Sequence, residues 1–154
     1  MKKQITIHLL MSLVFVMVVA QAHALVLTPE NADWWGDAGP GVPAIYDQWN
    51  DLIAADGGTL TVGASTELYK MDVGAAADEG SFASSYDTVF SMTDTDPQNA
   101  LITYVPGTDW INSNPTYLLV KDGNQNPDWY GFDISGWDGQ ETISAENFWP
   151  GNGS

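Results

Sequence analysis

Two kinds of spacing divide the chain. In PAIYDQWNDLIAADGG the apolar residues Ile45, Trp49, Leu52 and Ile53 recur at helical intervals, Pro43 suits a first turn and Gly57-Gly58 a stop. That spacing predicts one short amphipathic helix over 44–55; a rival reading is a pair of aromatic strands about a turn. Downstream, seven short runs rich in β-branched and aromatic residues predict strands at 59–62, 67–73, 81–92, 100–105, 117–122, 129–134 and 141–149. Clusters of Gly, Pro, Asn and Asp such as TDTDPQN, PGTDWINSNP and SGWDGQ separate them. Upstream, residues 25–42 carry Pro29, Pro40 and several glycines and predict an irregular entry. Short strands at this spacing predict a mainly β chain: an antiparallel, jelly-roll-like β-sandwich with one short helix near the N-terminus.

The first 24 residues belong to a different pattern. Lys2 and Lys3 precede an apolar run from Leu9 to Ala20, and Ala22-His23-Ala24 closes it. This is the layout of a cleavable secretory signal, short for a membrane span of about 20 residues. The expectation is a signal peptide over 1–24 and a single acidic domain over 25–154, secreted to the cell surface or beyond, with no membrane segment in the mature part.

Removing the leader changes the chemistry. Both histidines leave with it, the chain has no Cys or Arg, and Lys70 and Lys121 remain as the only basic side chains against 20 carboxylates. Sites built on His or Cys ligands, Cys nucleophiles, Ser-His systems and disulfides are excluded by inventory. Nucleic acid is an unsuitable partner, because binding it rests on cations that neutralise phosphates. Seven Trp and six Tyr spread along the mature part supply apolar area for a packed domain and separate it from an acidic disordered tail.

The second half carries a recognisable order of motifs. FSMTDTDPQNALITYVPGTDWI is followed by PTYLLVKDGNQNPDWYGFDISGWDGQETISAENFWPGNG. Over residues 82–153 this resembles the extracellular domain of PEP-CTERM proteins, bacterial exports handled by an exosortase, in which a DP..A.ITY..G segment precedes YLLVKDGN..P.WY.F, W.G...I and FWP. The resemblance implies a Gram-negative, polysaccharide-producing lineage and a place in the exopolysaccharide matrix or biofilm. Members of that class usually continue past FWP into a further strand, a Pro-Glu-Pro motif and a membrane anchor; the sequence here stops at Ser154, so the resemblance does not extend to anchoring. The Cys pair often found before the YLLVKDGN stretch is replaced here by INSNPTY, and the resemblance supplies no catalytic residues.

Candidate chemistry is of two kinds. Asp122, Asn124, Asn126 and Asp128 place oxygen-bearing side chains at alternate positions, with Asp133 where an EF-hand loop ends, a pattern suited to calcium. Against it, Pro127 occupies the position that loop gives to Gly, and Asp-Gly with Asn-Pro reads as a polar β-hairpin turn; the residues favour the turn. Asp94-Thr-Asp96 with Asn99, and Asp78-Glu79, are weaker cation candidates, each readable as a solvated loop. Trp34, Trp35, Trp110 and Trp137 lie in or beside turn clusters and are candidates for stacking on sugar rings, whereas Trp129 and Trp149 read as core. With so many carboxylates, a pair at glycosidase distance carries no evidence of catalysis. The sequence therefore points to a non-enzymatic surface or matrix protein with a structural or interaction role, whose partners would be extracellular polysaccharide, other surface proteins or copies of itself. The alternative is a carbohydrate-binding module, with or without calcium.

Overall fold

The computed structural model describes residues 23–38, 42–59, 61–91, 98–122 and 124–150. Residues 1–22 of the expected leader and the Asp94-Thr-Asp96 candidate lie outside them. In chain order the elements are β1 (Leu25–Leu27), β2 (Trp34–Gly36), α1 (Val42–Ala55), β3 (Tyr86–Ser91), β4 (Asn99–Tyr104), β5 (Tyr117–Lys121), β6 (Trp129–Asp133) and β7 (Ile143–Ala145), with single 3-10 turns at Pro29–Asn31 and Ala64–Thr66. The strands form a four-stranded sheet, β1-β7-β4-β3, and a three-stranded sheet, β2-β6-β5. This is the mainly β, two-sheet sandwich with one helix that the alternation implies. Its departure from the antiparallel expectation is β1, which pairs in parallel with β7. No helix among the described residues is long and apolar enough to cross a membrane.

β6 is the centre of the molecule because both of its faces are covered. Tyr130, Phe132 and the following Ile134 point toward the four-stranded sheet and pack with Leu27, Ile143, Ala145 and Phe148. Trp129 and Gly131 point the other way, where α1 lays Ile45, Trp49 and Ile53 against the sheet. Period-two alternation normally leaves one face wet; here a helix covers the second face, and Trp129 is fully buried. The order of layers is helix, three-stranded sheet, four-stranded sheet, with an apolar core between each pair. α1 stops where the pattern predicts, with Gly57 at φ 84° and the Gly58 amide donating to the Ile53 carbonyl at 2.9 Å.

Several expected strands are shorter or absent, for identifiable reasons. In 59–62 the backbone of Val62 pairs with a helix side chain: its amide donates to Asn50 Oδ1 at 2.7 Å, and Asn50 Nδ2 donates to its carbonyl at 3.0 Å. Over 67–73 the pairing reduces to one antiparallel bridge between Lys70 and Glu79, where Lys70 Nζ lies 2.7 Å from Asp72 and 3.2 Å from Glu79. Residues 81–85 form a turn, so β3 begins at Tyr86. β7 stops at Ala145, before Asn147 and Trp149 adopt φ of 60° and 49°, values that end an extended run. Conversely, 25–42 is not irregular throughout, because it supplies β1, β2 and the first residue of α1. Strands of three residues are too short to show alternation and depend on their partners, β7 and β6.

Tyrosine burial has a consequence for pH. The hydroxyls of Tyr46, Tyr69, Tyr86, Tyr117 and Tyr130 are all pushed above their ordinary value, burial being the largest cause in each, and Tyr69 reaches about 12. The folded state thus holds these protons more tightly than the unfolded chain does, and unfolding releases them above about pH 10. Stability is expected to be fully present below that pH and to fall as pH rises from there toward about 12. Denaturant midpoints measured across that range, alongside tyrosinate absorbance, check it; a midpoint constant to pH 12 would show that the phenols are not held as described.

Candidate functional site

The four tryptophans proposed for ring stacking end up in different surroundings. Trp34 is half-buried in the helix-facing core, its ring 6.1 Å from Trp49 and 5.5 Å edge-on to Tyr117, and its Nε1 donates to Asp56 at 2.6 Å. It fastens the end of α1 to β2. Trp35 shares a sheet face with Tyr130, its register partner, but lies on the edge strand β2 and is 62% exposed. Trp137 packs 5.7 Å from Tyr86 and donates its Nε1 to the Glu141 carbonyl at 2.7 Å. It walls a hollow of about 460 Å³ with β1, Asp33, Asp133 and Glu141. Trp110, 40% exposed, lies edge-on to Tyr104 at 6.4 Å.

Trp110 stands at the rim of a cleft of about 440 Å³ lined also by Ser81, Phe82, Ser84, Ser85, Asp109 and Asn112, within the ~300–1,000 Å³ usual for small-molecule sites. Two tyrosines of the four-stranded sheet hold its wall. Tyr86 Oη accepts from the Ile111 amide and donates to the Gly139 carbonyl, each at 2.8 Å. Tyr104 Oη donates to the Thr108 carbonyl at 2.6 Å, and Thr108 Oγ1 to the Val105 carbonyl at 2.7 Å. Gly139 lets this wall come close, because a Cβ there would lie 2.6 Å from Trp110 Cδ1, and its φ of +81° also disfavours any side chain. The opposite lip is the turn at 81–85, tied down by the Phe82 amide on the Leu68 carbonyl at 2.9 Å. The cleft's single ionisable side chain is Asp109. Its chemistry is that of hydrogen bonding and stacking.

The alternating loop joins β5 to β6. Asp122 Oδ1 accepts from the Asn124 amide at 3.0 Å, and Asn126 Nδ2 donates to Asp37 at 3.0 Å. Asp128 is buried, with both oxygens 3.2 Å from the Ala38 amide. The contacts of Asn126 and Asp128 fasten the β5–β6 hairpin to the residues that follow β2. Asp133 is spent on the Ser135 amide at 2.9 Å. Of the other pair, Asp78 accepts from Tyr69 Oη at 3.0 Å and Glu79 holds Lys70. Among the described residues no group of three or more His, Cys, Asp or Glu is placed to hold a metal ion.

The other quoted aromatic motif is structural. Phe148 fills the core between Tyr130 and Phe132, 5.4 and 6.0 Å from their rings, and Trp149 Nε1 donates to the Pro127 carbonyl at 2.7 Å. The Phe-Trp pair therefore closes the sandwich over the β5–β6 hairpin. Sequence reasoning named Trp110 as a candidate but not the serines that share its cleft, which it placed inside a strand; Asp109 and Asn112 were visible only as members of a turn cluster. No protein-family model, curated protein or solved structure matches the chain.

Proposed function

We propose that the chain acts, after export, as a non-enzymatic contact protein of the bacterial cell surface or exopolysaccharide matrix. The observation that carries this reading is the outer face of the four-stranded sheet. Register places Val26 beside Ser144, Ser144 beside Leu101 and Leu101 beside Val89, in one row across all four strands. The three aliphatic side chains are 44%, 43% and 62% exposed. Asn99, Thr103 and Ser91 share that face, Asp87 is the one carboxylate on it within these strands, and Glu146, just past β7, accepts from Ser144 Oγ at 2.7 Å. In a chain with 20 carboxylates, an exposed aliphatic row flanked by the carboxylates of Asp87 and Glu146 suits contact with a neighbour rather than solvation.

The test uses the exported protein with a mixed matrix of polysaccharide and surface proteins, measured by co-sedimentation, and the protein alone by scattering. Val89→Asp with Leu101→Asp should leave the fold intact, since both side chains are exposed. Retention or self-association should fall about tenfold or more, because two apolar contacts of ~1.5–3 kcal/mol each would be replaced by charges. Retention equal to that of the unmodified protein would overturn the assignment of this face.

The second reading, a carbohydrate-binding module, is supported by a separate observation: the half-exposed Trp110 beside a polar cleft. Calcium assistance is tested by repeating the binding with a chelator.

A further inference from the structure

We infer that the Trp110 cleft is a subsite for one or two rings of an uncharged, hydroxyl-rich glycan. The inference deepens the carbohydrate-binding reading and rests on it. A sugar ring offers an apolar C–H face and a rim of hydroxyls, and its binder needs a flat aromatic surface fixed beside groups that both donate and accept. Trp110 supplies the surface. Its loop is pinned on one side by Tyr104 and Thr108 and on the other by Tyr86, so little order has to be imposed when a ring stacks on it.

The polar groups around it are uncommitted. The side chains of Ser81, Ser84, Asp109 and Asn112 line the cleft and make no hydrogen bond to any described residue. The loop carboxylates Asp122, Asp128, Asp133 and Asp138 all accept from local groups instead. In the cleft the Asp109 carboxylate can accept from two neighbouring hydroxyls, the Asn112 amide can donate and accept, and Ser81 and Ser84 can do either. The absence of charge on the ligand follows from the lining. No cation among the described residues lines the cleft, Lys70 is occupied by Asp72 and Glu79, and Asp109 would repel a uronate or sulfate within a few ångströms.

Affinity electrophoresis tests this, with the exported protein run through gels containing hydroxyethyl cellulose, galactomannan or dextran as neutral probes and alginate or hyaluronate as acidic ones. At least one neutral polymer should retard the protein. Trp110→Ala should weaken that retardation about tenfold and Asn112→Ala about threefold to tenfold, while Trp35→Ala, outside the cleft, should leave it unchanged. Circular dichroism of each variant establishes that it is folded. Retardation lost in Trp35→Ala but retained in Trp110→Ala would overturn the subsite and leave the carbohydrate-binding reading standing. Equal retardation by acidic and neutral polymers would overturn the uncharged ligand. No retardation by any polymer would remove both the subsite and the carbohydrate-binding reading.

Discussion

Trp129→Ala is expected to remove about 3–5 kcal/mol of folding stability, a large share of the ~5–15 kcal/mol available to an ordinary domain. Trp129 is 0% exposed, lies 5.9 Å from Trp49, and donates its Nε1 to Gln48 Oε1 at 2.8 Å. It is thus the residue through which the central strand of the three-stranded sheet grips α1. Truncation leaves a void where the helix and the sheet cannot close together, because Trp49 is already fixed by Trp34 and Tyr117 at 6.1 and 6.0 Å. Trp129→Phe keeps most of the apolar area but leaves Gln48 without its donor, and should cost about 1–3 kcal/mol. Urea unfolding followed by circular dichroism measures both. A loss under about 1 kcal/mol for the alanine variant, far below the range for buried aromatics, would mean that the helical layer is not anchored at this residue.

The same strand shows which parts of the fold could be read from the chain. In WYGFDI, period-two alternation puts Trp129 on one face and Tyr130 and Phe132 on the other, so at least one face must be buried, and Ile45, Trp49 and Ile53 mark a helix with an apolar stripe. The pattern does not say that the stripe lands on the second face of that strand. This is why Trp34, placed beside a loop, looked available and is in fact held by Asp56 and ringed by aromatics. β1 was hidden for a related reason: Leu25–Leu27 is extended because β7, more than a hundred residues away, lies beside it. Local spacing cannot report a partner so distant. At 59–62 the β-like residues are present, but Asn50 takes the hydrogen bonds that a neighbouring strand would have used.

The cleft was half legible. An aromatic within PGTDWINSNP is the kind of residue a loop exposes, and Trp110 is exposed. Its counterparts at 81–85 lie on the far side of a long connection, and they meet it because Tyr86, the first residue of β3, reaches across to the Ile111 amide. One tyrosine hydroxyl thus sets the distance between the two lips, and nothing in the local sequence around it marks that role. The alternating Asp and Asn residues were more visible than the cleft, yet the side chains of Asp122, Asn126 and Asp128 are directed at turn and hairpin contacts.

Gly131→Ala is expected to destabilise the protein by about 1–3 kcal/mol or more, although alanine in a strand interior ordinarily gains about 0.5–1 kcal/mol over glycine. The reversal comes from space alone. Gly131 sits in mid-β6, opposite Trp34 on one side and Leu119 on the other. A Cβ there would lie 2.7 Å from Trp49 Cε2, 2.8 Å from its Nε1 and 2.9 Å from its Cζ2, nearer than carbon atoms pack. Trp49 is 2% exposed and enclosed by three aromatic rings, so α1 would have to lift from the sheet. A double-mutant cycle isolates this contact. Trp49→Phe withdraws the far part of the indole, including an Nε1 that is buried without a partner among the described residues. If the indole is the obstacle, Gly131→Ala should cost at least about 1 kcal/mol less in the Trp49→Phe background than in the native one, a coupling within the range for residues in contact. Strict additivity would instead place the strain of Gly131→Ala in the backbone of β6 and remove the steric reason for glycine at the centre of the sheet.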